Sequence, residues 1–382
     1  MTEKSFDEAI SHFKTILNDQ QERVKRISKQ DVARDFSQKE SITIGICWGD
    51  GIGEEISNQA QTVLEHCLCN DIKSGRIKIK PIKGLTIENR VAQLKAIPDD
   101  VLTELKSCDV ILKGPTTTPQ KGDGYPNIES ANVAMRRELD LYACVRPVKV
   151  PKKNIDWVFF RENTEGAYML GSKGIDMAGL SIDFKVISDI GAERIIRMAF
   201  EYAKVNNRKK VTVVTKSNVV KATDGRFSEV AMKIAKEYDN IECDEWYIDI
   251  MSAKLIDEKR QSDFEVFVLP NLYGDILTDE ASQIQGGVGT AGSANIGNHY
   301  AMFEAVHGSA PRMVNEGRAQ YADPSSMIKA ASMLLRHIGY IEQASKIDSS
   351  LDVVTSNESN KITGRSDGLS ANEFTALVLK QL

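Results

Sequence analysis

Two aspartates and three arginines carry the chemical interest of this chain. Asp275 and Asp279 lie in NLYGDILTDEAS, residues 271–282. They are one helical turn apart, so their carboxylates share a helix face. Paired hard oxygen donors suit Mg2+ or Mn2+, which keep their other positions for water and substrate. A pair of solvated helix acids has the same spacing, and both readings stand. In ESANVAMRRELDLYACVRP, residues 129–147, Ser130, Asn132 and Arg136 fall on or near one helical face, and Arg146 follows just before Pro147. Arg161 ends the apolar run that closes with Phe159-Phe160. A guanidinium grips carboxylates bidentately, so three converging arginines suit a polyanionic acid. The ordinary alternative for any one arginine is a solvated surface. Arg161, at the end of a buried run, fits that alternative least.

Three further segments hold reactive types. Lys216 in VVTKSN, residues 213–218, sits just past another apolar run. In a cleft such a lysine can lose its proton and act as a base. His307 begins a Gly/Ser/Ala stretch in FEAVHGSAPR, residues 303–312, whose backbone amides could cradle a phosphate. The GDGIG run at 49–53 joins an apolar run to a helical stretch, a junction able to hold a phosphate. Its spacing is GxGxG rather than GxGxxG, and no acidic residue stands out at the distance the dinucleotide fingerprint needs.

These residues need elements to position them. Short apolar runs at Ile42–Cys47, Asp109–Leu112, Trp157–Phe160, Val211–Thr215 and Phe264–Leu269 predict buried strands. Helical patterns, such as Gly191–Lys204 and Arg226–Glu237, lie between them. This alternation predicts an α/β fold with a mainly parallel sheet. GGVGTAGSANIG, residues 286–297, reads as a loop or as backbone that closely approaches a ligand. Residues 1–40 are polar and charged. Ile10, Phe13, Ile16 and Leu17 fit a helical stripe, so this part reads as an N-terminal extension of one or two amphipathic helices.

Composition excludes some classes. The 382 residues allow two or three domains with a sizeable core, and a net charge of −5 argues against a general nucleic-acid or anionic-membrane binder. No apolar run reaches the roughly 20 residues of a membrane helix. MTEKSFDEAISHF has no apolar signal core and is too acidic for a transit peptide. The six cysteines (47, 67, 69, 108, 144 and 243) form no CxxC pairs. A cytoplasmic protein with reduced thiols is the expectation.

The order of these pieces resembles the β-decarboxylating dehydrogenases, the family of isocitrate, isopropylmalate and homoisocitrate dehydrogenases. The resemblance rests on WGDGIGEEI, KGPTTTP at 113–119, SANVAMRRELDLYACVRP, FRENTEGAY at 160–168, NLYGDILTDEAS and FEAVHGSAP, which are colinear across roughly residues 42–340. It implies a large domain from residues 41–141 and 286–382 and an inserted small domain from 142–165 and 189–285. It also implies a clasp at 166–188 that pairs two subunits into a homodimer with shared active sites, and dinucleotide binding without a conventional Rossmann fold. Carried over residue by residue, Ser130, Asn132, Arg136, Arg146 and Arg161 are the implied substrate contacts. Tyr168 is the implied catalytic tyrosine. Lys216 and Asp249 are the implied catalytic lysine and aspartate lent by the partner subunit. The implied metal site for Mg2+ or Mn2+ takes Asp275 and Asp279 together with Asp249. Thr117 and Asn132 are expected near the nicotinamide, with Glu304, His307, Gly308, Ser309, Ala310 and Asp323 around the rest of the cofactor.

The polar Ser130–Asn132 pair selects the substrate within the family. Facing an isopropyl group it would be left unsatisfied at a cost of about 1–3 kcal/mol per group. A tricarboxylate, isocitrate, is therefore expected, with oxidative decarboxylation to 2-oxoglutarate and CO2. The alternatives are another 2-hydroxy acid (3-isopropylmalate, homoisocitrate, tartrate) or a non-catalytic regulatory subunit. The positions that hold the 2′-phosphate in NADP-binding relatives read Arg312 and Met313, and VTSNESN at 354–360 has no tyrosine or arginine. NAD is expected, with NADP the alternative because an arginine can bind that phosphate.

Overall fold

The computed structural model describes residues 4–29, 33–119, 122, 124–126, 128–171 and 173–382. Residues 1–3 and 30–32 of the expected extension and Ser172 of the expected clasp lie outside the described residues. Twelve strands run in chain order among the described residues: β1 (Ile42–Cys47), β2 (Ile77–Ile82), β3 (Val110–Lys113), β4 (Ala143–Val150), β5 (Ile155–Glu162), β6 (Ile175–Met177), β7 (Leu180–Ile182), β8 (Lys210–Thr215), β9 (Glu242–Tyr247), β10 (Val266–Leu269), β11 (Gly292–Ile296) and β12 (Ala301–Ala305). The chain divides into two compact units. One holds Met1–Val32 with Tyr142–Ala281, the other Ala33–Leu141 with Ser282–Leu382.

In the second of these units five strands run in the order β2-β1-β3-β12-β11. β1 pairs in parallel with β2 and β3, β12 in parallel with β3, and β11 antiparallel to β12. β1 and β3 are almost wholly apolar because both their faces are covered. Cys47, Leu105, Ile111, Met135, Leu141 and Met302 belong to one buried cluster here. In the other unit five strands run in the order β4-β5-β10-β8-β9. β5, β10, β8 and β9 pair in parallel, and β4 is antiparallel to β5. Its core is aromatic. The Phe159 and Phe267 rings stack at 4.5 Å, and Trp157 meets both edge to face. All three are fully buried, each contributing roughly 1.5–3 kcal/mol.

The structure is a mixed α/β protein, as the alternation of apolar runs and helical patterns implies. One expectation is corrected. GGVGTAGSANIG is not all loop, because its second half is strand β11. The small residues read as loop-forming instead allow close packing. A side chain at Gly292 would stand 3.0 Å from the Ala330 backbone nitrogen, in the helix Ser325–His337.

The amino-terminal segment forms one helix, Phe6–Ile27. Ser5 and Glu8 close a reciprocal capping box at its start, and Lys25 and Arg26 lie near its negative end. Its buried positions are Ala9, Ile16, Arg23 and Ile27. The predicted amphipathic helix is present, but of its stripe only Ile16 is buried, while Ile10, Phe13 and Leu17 are exposed together with Phe6. Arg23 lies on the inward face beside Ala9, Ile16 and Ile27, and no hydrophobic pattern selects an arginine there.

Within the same unit β6 and β7 form an isolated antiparallel hairpin, and Gly166 bridges to Val186. The amino-terminal helix lies against this region. His12 contacts the Lys173 carbonyl at 2.8 Å, and Phe13 stacks on Phe184.

Candidate active site

In the unit built from Tyr142–Ala281, two arginines meet two aspartates. Arg146 on β4 and Arg161 on β5 come from neighbouring antiparallel strands, in which Cys144 pairs with Arg161. Opposite them the helix Asn271–Gln285 starts directly after β10 and carries Asp275 and Asp279. The Arg161 guanidinium donates to Asp275 and, through Nε and Nη2 at 3.1 and 2.7 Å, to Asn271 Oδ1. Arg146 Nη1 donates to Thr278 Oγ1 at 2.5 Å and to Asp279 Oδ1 at 3.3 Å. The Tyr168 hydroxyl donates to Asp275 Oδ2 at 2.9 Å. The Arg161 side chain is only 1% exposed, whereas Asp279 is 62% exposed. The arginines are built in, and the carboxylates reach outward. Gly274 makes this possible, because a methyl group there would lie 2.5 Å from Arg161 Cγ.

Lys216 follows β8, and its ammonium lies 2.5 Å from Asp249 Oδ1, at the start of the helix Ile248–Ile256. The hydrogen bond from Lys216 holds the Asp249 carboxyl below its ordinary value. Asp224, fully buried, was not singled out from the sequence. It accepts from the Lys216 backbone N–H at 2.8 Å and pairs with Lys185, fixing the loop from below. Its only signal in the sequence is an acid placed in the first turn of the helix Thr223–Ala235.

Asp275 and Asp279 offer carboxylate oxygens on one helix face, with Asp279 largely open, which suits Mg2+ or Mn2+. Among the described residues of one chain, no three acidic, histidine or cysteine side chains form a group that could hold a metal ion. Asp249 therefore does not complete a three-ligand group with these two in the same chain. The resemblance assigns it to the partner's site.

The other unit carries the remaining predicted residues. Ser130 caps the helix Ala131–Glu138, yet its side chain makes no capping hydrogen bond. Asn132 Oδ1 accepts from Thr116 Oγ1 at 3.1 Å. Arg136 lies 3.6 Å from Glu304, and its buried Nε has no hydrogen-bond partner among the described residues. An unsatisfied guanidinium N–H is costly in a lone chain, and an anionic ligand would satisfy it. Lys113, fully buried at the end of β3, donates to Glu304 Oε2 at 3.0 Å, and Asn295 donates to Oε1 at 2.8 Å. Burial alone would raise the Glu304 pKa. The Lys113 and Arg136 cations overcome that and hold it at about 2. Lys113 and Asn295 are further residues that sequence reasoning missed, although a lysine closing the run VILK is a visible signal.

Thr117 and Ser309, both expected at the cofactor, are in direct contact, with their hydroxyls 2.8 Å apart. Asp50 organises this corner. Its two oxygens accept from the Thr117 and Ile87 backbone N–H groups, each at 2.7 Å. Gly51 adopts a positive φ of 62°, and a side chain there would stand 2.0 Å from the Ser309 carbonyl. The GDGIG run thus serves backbone-to-backbone packing between the Thr117 loop and the HGSA loop. His307 Nδ1 contacts the Gly308 carbonyl at 3.1 Å. Ala310 takes a left-handed conformation at the start of the helix Pro311–Asn315. Asp323 precedes the helix Ser325–His337 and accepts from the Ser325 N–H at 2.9 Å.

The isocitrate/isopropylmalate dehydrogenase family pattern matches residues 43–378. The chain is 41% identical over 312 residues to "Isocitrate dehydrogenase [NADP]" of Rickettsia prowazekii, covering 80% of this chain and only 61% of that protein's length. It is 40% identical to "Homoisocitrate dehydrogenase" of Methanocaldococcus jannaschii, over 78% of this chain and 86% of that one. It is 34% identical to "Isocitrate dehydrogenase [NAD] subunit 2, mitochondrial" of Schizosaccharomyces pombe, over 89% and 87%. The solved structure of isocitrate dehydrogenase from Methylococcus capsulatus superposes with a TM-score of 0.77 at 33% identity, covering 89% of this chain and 99% of that one. With a sequence match over most of its length and a shared fold, the chain belongs to the isocitrate/isopropylmalate dehydrogenase family.

Proposed function

We propose that this protein oxidises and decarboxylates isocitrate to 2-oxoglutarate and CO2, with NAD as hydride acceptor and Mg2+ or Mn2+ bound by Asp275 and Asp279 with the partner's Asp249. The observation that carries the reading is the pairing of Arg161 and Tyr168 with Asp275 beside the pairing of Arg146 with Asp279. Positive groups for carboxylates and a phenol meet the acids for a cation at one helix face.

In this reading Arg146 and Arg161 grip substrate carboxylates, each already oriented by an aspartate. Arg136 and the Ser130 hydroxyl take the distal carboxylate. The bound divalent ion would supply Lewis-acid polarisation of the substrate hydroxyl and its neighbouring carboxylate. Lys216, with Asp249, accepts the hydroxyl proton, and both come from a second copy of the chain. Hydride acceptance is the nicotinamide's own chemistry. Once CO2 has left the β-keto acid, Tyr168 returns a proton to carbon, and its hydrogen bond to Asp275 fixes where the phenol points.

NAD is assigned ahead of NADP because Arg312 and Arg318, next to the HGSA loop, are both already paired with Glu316. A carboxylate between them repels a 2′-phosphate and accepts hydrogen bonds from ribose hydroxyls. The homodimer is supported by apolar side chains exposed on the segment 166–188 and the helix beside it. Leu180 and Phe6 are 54% and 70% exposed. No helix among the described residues is long and apolar enough to cross a membrane, and cytoplasmic residence belongs to the same proposal. Homoisocitrate is the second reading, because the Methanocaldococcus relative carries that name at similar identity.

The test is reduction followed at 340 nm with isocitrate and Mn2+, in parallel with NAD and NADP, before and after EDTA. EDTA-sensitive reduction of NAD supports the reading. Silence with isocitrate and turnover of homoisocitrate would replace it.

A further inference from the structure

We propose that Arg23 is a positioning residue for Arg161: the amino-terminal helix carries a buried guanidinium that fixes Glu165 and, through Asn271, the arginine that grips substrate. The inference rests on the reading of Arg161 as a substrate contact.

A guanidinium withdrawn from water is costly unless paired. The Arg23 side chain is 7% exposed and meets a partner that is 0% exposed, with Nη1 2.7 Å from Glu165 Oε1. Its Nη2 reaches Thr164 Oγ1 at 3.3 Å. The family match begins at residue 43, so this cation comes from a helix outside the matched region. Three apolar residues, Ala9, Ile16 and Ile27, make up the rest of the helix's buried face, and they would seat it without a charge.

The contacts lead from Arg23 to the site without a gap. The Glu165 carboxylate also accepts from the Ser188 N–H at 2.9 Å and from the Ser188 hydroxyl. The following helix is built around it, since a methyl group at Gly191 would lie 2.3 Å from the carboxyl carbon. The Glu165 carbonyl accepts from Asn271 Nδ2 at 3.1 Å. The same Asn271 holds the Arg161 guanidinium through Oδ1 and opens the helix that carries Asp275 and Asp279.

A second buried acid adds to the demand for a cation here. Glu162 Oε2 accepts from the Glu165 N–H at 2.6 Å, and burial and the Glu165 charge push its pKa up to about 7. Arg23 shares this corner with the buried Arg194, whose Nη2 reaches Thr164 Oγ1 at 3.4 Å, and its loss leaves the two buried carboxylates of the loop from Arg161 to Tyr168 with one fewer cation.

The experiment compares full-length wild type, Arg23→Met, Arg23→Lys and, as a packing control, Ile16→Ala. Two readouts are taken below every variant's melting temperature: amide hydrogen exchange of residues 161–168, and KM and kcat for isocitrate. Arg23→Met is expected to speed exchange in that segment about ten-fold and to raise KM about ten-fold with little change in kcat. Arg23→Lys should recover part of both, and Ile16→Ala should lower the melting temperature while leaving both near wild type. Wild-type exchange and KM in Arg23→Met, or equal changes in Ile16→Ala, would overturn the proposal. If wild type does not turn over isocitrate, the substrate reading fails, and the exchange measurement still decides whether Arg23 orders Arg161.

Discussion

Lys216 and Asp249 form an ion pair 2.5 Å long whose lysine is also anchored through its backbone N–H to the buried Asp224. The anchor does not use the ammonium. Lys216→Met should therefore fold, with a melting temperature near wild type, because the lost pair has a largely exposed aspartate partner. Turnover should fall about 10²–10⁴-fold, the usual share of a positioned proton acceptor. Steady-state kinetics with saturating isocitrate and Mn2+ check this, and near-normal kcat would remove Lys216 from the proton path.

The pair of Lys113 and Glu304 calls for a stability measurement. Glu304 is held at about 2 instead of its ordinary 4.5. A carboxyl whose folded pKa is depressed stabilises the fold above its unfolded value, and the contribution fades as pH drops towards the folded value. Glu304→Gln should destabilise the protein by about 3 kcal/mol at pH 7, since it leaves the buried Lys113 without its counter-charge. The gap in stability between wild type and variant should then narrow between pH 4.5 and pH 2. Denaturant melts across that range check the sign, and a gap independent of pH would contradict it.

Different physics decided which parts were legible in the sequence. β1, β5, β8 and β10 are apolar runs because they are buried on both faces, and such runs announce themselves. β11 did not, because Gly292 and its small neighbours were chosen for close packing rather than for hydrophobicity. Asp275 and Asp279 were legible from spacing along one helix, as were Arg146 and Arg161 from their places beside apolar runs. Asp50 and Arg23 were not, because each acts through a partner far away in the chain, and Lys113, although it visibly closes the run VILK, also acts through a distant partner. Asp50 reaches Thr117, Lys113 reaches Glu304, and Arg23 reaches Glu165. A single sequence has no local pattern that pairs a buried charge with a partner so far along the chain.

Asp279 and Asp275 differ in exposure, and this separates their expected phenotypes. Asp279 is 62% exposed and gives Arg146 only a 3.3 Å contact. Asp279→Asn should therefore change stability by less than about 1 kcal/mol. It removes one anionic ligand oxygen set, so the Mn2+ concentration for half-maximal activity should rise about ten-fold or more. A Mn2+ titration of initial rate beside a thermal melt checks both halves. An unchanged titration would take Asp279 out of the metal site.

Gly274 tests how tightly Arg161 must be held. The glycine sits inside the helix Asn271–Gln285, where alanine is ordinarily favoured by about 1 kcal/mol. Here the added methyl would lie 2.5 Å from Arg161 Cγ and 2.6 Å from Cβ. These atoms are near the backbone of β5 and cannot swing away as a guanidinium tip could. Gly274→Ala should therefore destabilise by about 1–3 kcal/mol, reversing the helix-propensity gain. If Arg161 grips substrate, the same change should raise KM for isocitrate more than it lowers kcat. Melts together with Michaelis curves distinguish the outcomes. Destabilisation with an unaltered KM would mean that Arg161 braces the helix and does not touch the substrate.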